Sequence, residues 1–318
     1  MNAESINVVA VLGLGTMGHG MAQTFAAAGC AVRCYDESAV ARDTTVDRIR
    51  GNLDKMVEAG ITDNKSIPRI LERIQILECE SDAVAPAQFV VEAISEELAP
   101  KQELFARIEP LVASQTILAS NSSSFPITES AAKMQRPERA IVTHWFNPPH
   151  IVPLVEVVPG EKTDDAVTQT TVDFHRRVGK LAVRLKKEVP GFLVNRVQVA
   201  IFREIFDLLD RGVASAEDID QAIRGSIGLR LAALGPFHVM DFAGLDITSR
   251  TYENLVTDIR SDTKLAPVIR RLVDEGNFGT KTGKGIYDYT PESIEQKQEE
   301  RDRRYLALAK LLWQNLLS

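Results

Sequence analysis

Cysteine is scarce in this chain of 318 residues: Cys30, Cys34 and Cys79 are the whole set. So odd and sparse a set builds no disulfide framework. Cys30 and Cys34 bracket a short apolar run, and a strand position accounts for them without a metal or redox pair. Positive charge is in deficit, with 37 Lys and Arg against 44 Asp and Glu and a net charge of -7. With no long basic run either, nucleic acid is not an expected partner. Glycine (19) and proline (14) are too few for a low-complexity linker or a collagen repeat. No apolar stretch reaches the ~18 residues a membrane span requires, so no membrane partner is expected. Met1 to Ile6 lacks the basic region of a signal peptide, and the expected compartment is the cytoplasm.

What is present is the make-up of a globular enzyme, 44% hydrophobic and 25% charged. The length suits roughly two domains of about 150 residues each. Buried strands are expected at Asn7 to Leu12, Ala31 to Tyr35, Ile74 to Leu77, Phe89 to Ala93, Ile117 to Ser120, Ala140 to Trp145, Leu154 to Val158 and Leu181 to Leu185. Helical spacing falls between them, at 18–28, across Val40 to Arg73 with a break near Gly60, and at Lys101 to Val112. Alternation of this kind predicts a parallel, doubly wound sheet. Val189-Pro190-Gly191 punctuates the chain, and from Phe192 onward the spacing is mostly helical, at Val194 to Leu209, Ser215 to Ile223, Leu245 to Ile259 and Leu265 to Glu275. A last helix should start at Thr290, with Leu306, Leu308, Leu311, Leu312 and Trp313 on its apolar edge. The expected fold is α/β, a Rossmann-type sheet domain over 1–188 followed by an all-helical domain over 189–318.

Gly13-Leu14-Gly15-Thr16-Met17-Gly18 follows the first strand and opens a helix, and Asp36 ends the next strand. In that setting the glycine motif signals dinucleotide binding. Gly13 permits the turn, Gly15 lets a pyrophosphate approach the backbone, and Gly18 lets the helix pack on the sheet. Asp36, reinforced by Glu37, would accept the ribose hydroxyls and repel a 2′-phosphate, which selects NAD over NADP. A glycine turn without a ligand is the alternative.

His144 ends an apolar strand, and Glu156 lies inside Leu154-Val155-Glu156-Val157-Val158. Pro148, Pro149 and Pro153 between them favour two strands folding back on each other. A carboxylate beside an imidazole fixes its tautomer and raises its basicity, as a general base requires. From spacing alone the pair reads equally as catalytic or as a buried polar contact. A zinc site at His144 and His150 lacks a third ligand. Asn121-Ser122-Ser123-Ser124 follows a strand end, and Asn195 opens a helix. Each serves as a cap unless it reaches a site.

Taken as a set, the segments GLGTMG (13–18), VVEAISEELAPK (90–101), SNSSSFPIT (120–128), HWFNPP (144–149), PLVEVV (153–158), PGFLVNR (190–196) and FGTKTGKGIYDY (278–289) resemble the L-3-hydroxyacyl-CoA dehydrogenase superfamily. The resemblance implies His144 as catalytic base and Glu156 as its partner, with Ser123 on the substrate oxygen and Asn195 positioning substrate. It implies Glu96, Lys101, Ser123, Asn147 and Lys281 along the NAD site, beside Gly13, Gly15, Thr16, Met17, Gly18 and Asp36. It also implies a homodimer formed through the helical domain and, for the thioester members, a place in fatty acid metabolism. One departure concerns the helices after the second strand, where such members meet coenzyme A with lysines. Residues 47–80 here hold six basic and seven acidic side chains, a net -1. Gly228 to Pro236 is instead similar to relatives acting on small free acids, of the gulonate, carnitine and pyridoxine-degradation types. Arg230 in that stretch could meet a free carboxylate. The expected substrate is therefore a 3-hydroxyacyl compound at family level, or a free 3-hydroxy acid. A 6-phosphogluconate-type β-hydroxyacid dehydrogenase and a non-enzymatic crystallin are the further alternatives.

Overall fold

A computed structural model describes residues 2–313; Met1, residues 314–318 and the side chain of Trp313, at the outer ends of the two domains read from sequence, lie outside the described residues. By contacts the chain divides into two compact units. One holds the chain through Asn195 together with the chain from Asp302 onward, and the other is Arg196–Arg301. The reading from sequence divides the chain at 188/189 and assigns the whole tail to the helical part.

The first unit is built on eight strands: β1 (Val8–Leu12), β2 (Ala31–Tyr35), β3 (Ile74–Ile76), β4 (Phe89–Glu92), β5 (Ile117–Ser120), β6 (Ala140–Trp145), β7 (Leu154–Pro159) and β8 (Leu181–Arg184). They lie in the order β3-β2-β1-β4-β5-β6-β7-β8. Every pairing is parallel except β6 with β7. The helices between them are α1 (Gly18–Ala27), α2 (Ala39–Glu58), α3 (Ile67–Leu71), α4 (Glu80–Val84), α5 (Leu98–Ile108), α6 (Ile127–Ser130) and α7 (Asp165–Arg177). Strand order reverses between β2-β1 and β4-β5, so the crevice of a doubly wound sheet opens at the carboxyl ends of β1 and β4.

Pleating sorts the core into two layers. Val9, Val11, Phe89, Val91 and Ile141 join Phe25 of α1 and Phe174 of α7 on one face. Ala10, Leu12, Val90, Leu118 and Val142 join Leu104, Phe105 and Ile108 of α5 on the other. With both faces covered, the strands read as continuous apolar runs rather than alternating ones. Ser38 caps α2 by accepting from the Ala41 N–H at 3.3 Å, and Gly60, at φ +66°, ends the turn that follows.

The second unit is helical. It takes in most of α8 (Val194–Asp210), then α9 (Ala216–Ile223), α10 (Leu229–Leu234), α11 (Pro236–Ala243), α12 (Leu245–Leu255), α13 (Pro267–Asp274) and the first turns of α14 (Pro291–Trp313). The sequence pattern missed α10 and α11. A π-helical stretch, Arg224–Gly228, runs straight into α10, and the break falls at Gly235, φ +77°. The later turns of α14 pack in the sheet unit, where Leu306 and Ala309 are buried. Leu308 and Leu311, assigned to the same apolar edge from sequence, are exposed.

Candidate active site

The glycine loop leaves β1 with Gly13 at φ +88°, a region that disfavours side chains. A Cβ on Gly18 would lie 1.7 Å from the Gly13 carbonyl oxygen, whereas one on Gly15 would meet nothing within 4 Å. The first absence lets α1 start against the turn, and the second keeps open a backbone edge at the helix N-terminus. Such an edge receives a phosphate. A cavity of about 570 Å³ adjoins it, lined by Gly13, Gly15, Asp36, Glu37, Ile94 and Arg107 among others. Asp36 accepts from the Leu14 N–H at 2.6 Å and from the Ser38 N–H at 2.8 Å. The carboxylate that would face a ribose is thus fixed by the backbone on each side of it. The cradle, the cavity and the acid together fit a dinucleotide.

The next two strand ends carry a carboxylate cluster. Glu92 closes β4, fully buried, and takes the Lys101 ammonium on both oxygens at 2.9 and 3.0 Å. It also accepts from the Ser120 hydroxyl and from the Ile94 N–H at 3.1 Å. Lys101 reaches Glu96 as well, at 3.3 Å. Glu96 accepts from the Ser122 hydroxyl and from the Ser123 and Ser124 N–H groups, each at 2.8 Å. Burial works to raise the Glu96 carboxyl, but Lys101 and these serine donors outweigh it and hold it below its ordinary value. Asn195 donates to the Ser123 carbonyl at 3.4 Å, so Glu96, Lys101, Ser123 and Asn195 form one group. Lys101 is fully buried in it rather than facing open space.

On β6 and β7 the antiparallel register sets His144 directly opposite Glu156. His144 Nδ1 lies 2.7 Å from Glu156 Oε2, and the carboxylate is fully buried. Its other oxygen accepts from the Leu193 and Val194 N–H groups at 3.0 and 2.9 Å, at the start of α8. Three donors, two of them backbone N–H groups at a helix N-terminus, thus satisfy the buried carboxylate. Phe146 and Phe192 pack against the imidazole, ring centroids 4.4 and 5.5 Å away. Phe192 takes the left-handed conformation, φ 51°, to enter the core there. With Nδ1 donating to Glu156, Nε2 is left as the proton acceptor. The Asn121 amide oxygen accepts from the Trp145 N–H at 2.9 Å, tying the end of β6 to the serine loop.

Of the remaining residues expected from sequence, Thr16 and Asn147 are exposed and Met17 is half-buried, while Lys281 belongs to the helical unit and is exposed. Glu92, Asn121 and Phe192 were missed. Glu92 had a signal, a lone carboxylate in an otherwise apolar strand. Asn121 and Phe192 had none beyond their neighbours.

A dinucleotide cradle and a buried His–Glu pair on one sheet define the class, a dinucleotide-dependent oxidoreductase. The family 3-hydroxyacyl-CoA dehydrogenase matches through its NAD binding domain over residues 8–189 and its C-terminal domain over residues 191–289. The 5-formyl-3-hydroxy-2-methylpyridine 4-carboxylate 5-dehydrogenase of Mesorhizobium japonicum is 37% identical over 308 residues, 96% of this chain and 98% of that protein. A probable 3-hydroxybutyryl-CoA dehydrogenase of Bacillus subtilis is 36% identical, over 89% of this chain and 98% of its own. A crystal structure of the pyridine-carboxylic acid dehydrogenase, described as an NAD+ dependent dismutase, superposes with a TM-score of 0.89 at 36% identity. It covers 96% of this chain and 98% of that one. The chain belongs to the 3-hydroxyacyl-CoA dehydrogenase family and is an NAD-dependent dehydrogenase acting on a hydroxyl-bearing carbon. That displaces the 6-phosphogluconate-type and non-enzymatic alternatives.

Proposed function

We propose that this dehydrogenase oxidises a small free carboxylate-bearing alcohol rather than a coenzyme A thioester. One observation carries the reading: the basic side chains that point inward from α2 are already committed. Arg48 donates to the Leu14 carbonyl at 2.7 Å and to the Gly15 carbonyl at 3.3 Å. Lys55 pairs with Asp302 of α14 at 3.1 Å. Exposed pairs with whatever cations remain contribute only ~0.2–1 kcal/mol each, too little to hold a polyanion. The likeness to the Mesorhizobium enzyme, named for a pyridine carboxylate, supports the reading because it extends over nearly the whole chain.

In the reaction, His144 Nε2 removes the hydroxyl proton while Glu156 balances the imidazolium that forms. The carboxylate, held by Leu193 and Val194, stays in place as that charge develops. Ser123 would donate to the substrate oxygen and Asn195 would orient the substrate. Lys101 and Glu92 hold Glu96, which fixes the serine loop. Gly13, Gly15, Gly18 and Asp36 would hold NAD, which would supply the acceptor for the hydride.

The test compares specificity constants for 3-hydroxybutyryl-CoA with those for free 3-hydroxy acids and hydroxymethyl- or formyl-pyridine carboxylates. A free acid should be the better substrate. A thioester preferred a hundredfold or more would overturn the reading. It would favour the second one, a 3-hydroxyacyl-CoA substrate, which the relatives named for such compounds support, and with it a role in fatty acid metabolism.

We also propose a homodimer in the cytoplasm. Phe237, Phe242, Leu245 and Tyr252 of the helical unit expose more than half their surface, an apolar area that a second copy would cover. Sedimentation at micromolar concentration should give twice the chain mass; a monomer there would rule the dimer out. The three cysteines are free, in keeping with a reducing compartment.

A further inference from the structure

Arg48 does more than remove a cation from the surface of α2. Its guanidinium lies under the glycine loop and holds that loop by its carbonyls. Nη2 donates to Leu14 O at 2.7 Å, and Nη1 to Gly15 O at 3.3 Å. The same Nη2 is anchored on its own helix, at 3.1 Å from both the Ala41 carbonyl and the Thr45 hydroxyl. His19 supports it from α1, its Nδ1 2.7 Å from Gly15 O. Burial pushes the His19 imidazolium below its ordinary value, against the hydrogen bond to Gly15, and the nearby Arg48 charge adds to the lowering.

A planar trans peptide points its C=O and the following N–H in opposite directions. Pulling the Leu14 carbonyl toward Arg48 therefore turns the Gly15 N–H the other way. Pulling the Gly15 carbonyl toward Arg48 and His19 does the same for the Thr16 N–H. Both N–H groups are then turned away from Arg48, in a loop where a Cβ on Gly15 would meet no atom within 4 Å. Asp36 fixes the Leu14 N–H at 2.6 Å. The loop is thus held by a carboxylate just after β2 and by a guanidinium on α2.

We propose that Arg48 is the positioning residue of the dinucleotide loop, presetting the Gly15 and Thr16 N–H groups to receive the pyrophosphate. A guanidinium suits the task because its rigid planar fork presents several donors at fixed spacing, whereas a lysine carries one ammonium on a flexible stem. The proposal rests on the NAD site and is independent of which substrate the enzyme takes.

The test is calorimetric binding of NAD and of ADP-ribose, which carries the pyrophosphate but no reactive ring, to the parent and three variants. Arg48→Met should raise both dissociation constants about tenfold to a hundredfold. Its KM for NAD should rise in parallel, with kcat at saturating NAD within about threefold of the parent. Arg48→Lys, which can hold one carbonyl, should fall between the two. Arg50→Met, an exposed site two residues away, removes the same charge without touching the loop and should bind as the parent does. ADP-ribose binding by Arg48→Met within twofold of the parent, with or without a lowered melting temperature, overturns the proposal. So does equal weakening by Arg50→Met, which would make the effect one of net charge. Should Arg48→Met fail to fold, Arg48→Lys carries the test, and parent-like binding by that variant overturns it.

Discussion

The His144 imidazole is held on one side by a charge and on the other by two rings, which leaves a single nitrogen for chemistry. His144→Ala should lower kcat by roughly a hundredfold to ten-thousandfold, the range for a lost general base, with NAD affinity within twofold of the parent. Turnover within tenfold of the parent would remove His144 from the mechanism. Asp36 carries a second expectation. Replacing Asp36 by Ser and Glu37 by Arg should narrow or invert the NAD preference, read as the ratio of specificity constants for NAD and NADP. Asp36 also anchors the Leu14 and Ser38 N–H groups, so total affinity should fall as the preference shifts. A parent that already favours NADP would show the ribose argument to be wrong.

At the scale of the element, the strand-loop-helix unit of β1 and α1 separates two uses of glycine. A methyl group on Gly18 would run into the Gly13 backbone at 1.7 Å, and backbone cannot rotate away. Gly18→Ala should therefore lower the melting temperature and weaken NAD binding together. On Gly15 the same methyl group meets nothing in the protein. Gly15→Ala should melt as the parent does yet bind NAD at least tenfold more weakly, because the added carbon occupies the phosphate side. Thermal melts read beside calorimetric titrations decide this, and equal behaviour of the two variants would refute the division of roles.

For the whole molecule, buried basic groups set the response of stability to pH. Burial pushes His175 down to about 4 and His150 down to about 3. Between those values and the ordinary 6.5 the unfolded chain binds protons that the folded chain does not, so stability falls as pH drops through that window. Chemical denaturation in steps from pH 6.5 to 4 should show the slope, and His175→Gln should flatten it; an unchanged slope would place its origin elsewhere. Lys180 acts at the alkaline side. It donates to the Pro149 carbonyl and, at 2.9 Å, to the Val152 carbonyl, and burial pushes its ammonium down to about 7 from 10.5. The folded state sheds that proton first, so the parent should gain stability relative to Lys180→Met as pH rises from about 7 toward 10.5. A pH-independent difference between the two melting curves would contradict this.

By itself the sequence determined the strands, the glycine loop with its acid, and the pairing of His144 with Glu156. Each is coded within a short span: an apolar run, a glycine spacing, or two strands joined by a proline-rich connector that forces them to fold back. Lys101 shows where that legibility stops. The resemblance sets it along the NAD site, but its charge is answered by Glu92, a residue on the neighbouring strand, and it lies buried. Arg48 and Lys55 read as two of six cations on a helix surface. Tertiary structure decided that one clamps a loop 34 residues away and the other meets Asp302, 247 residues on. The continuation of α9 into α10 was hidden because a π-helical turn carries the helix on where the apolar spacing slips. Local pattern fixes backbone conformation and which face is buried, whereas the partner of a long charged side chain depends on which distant backbone the packing brings within about 3 Å.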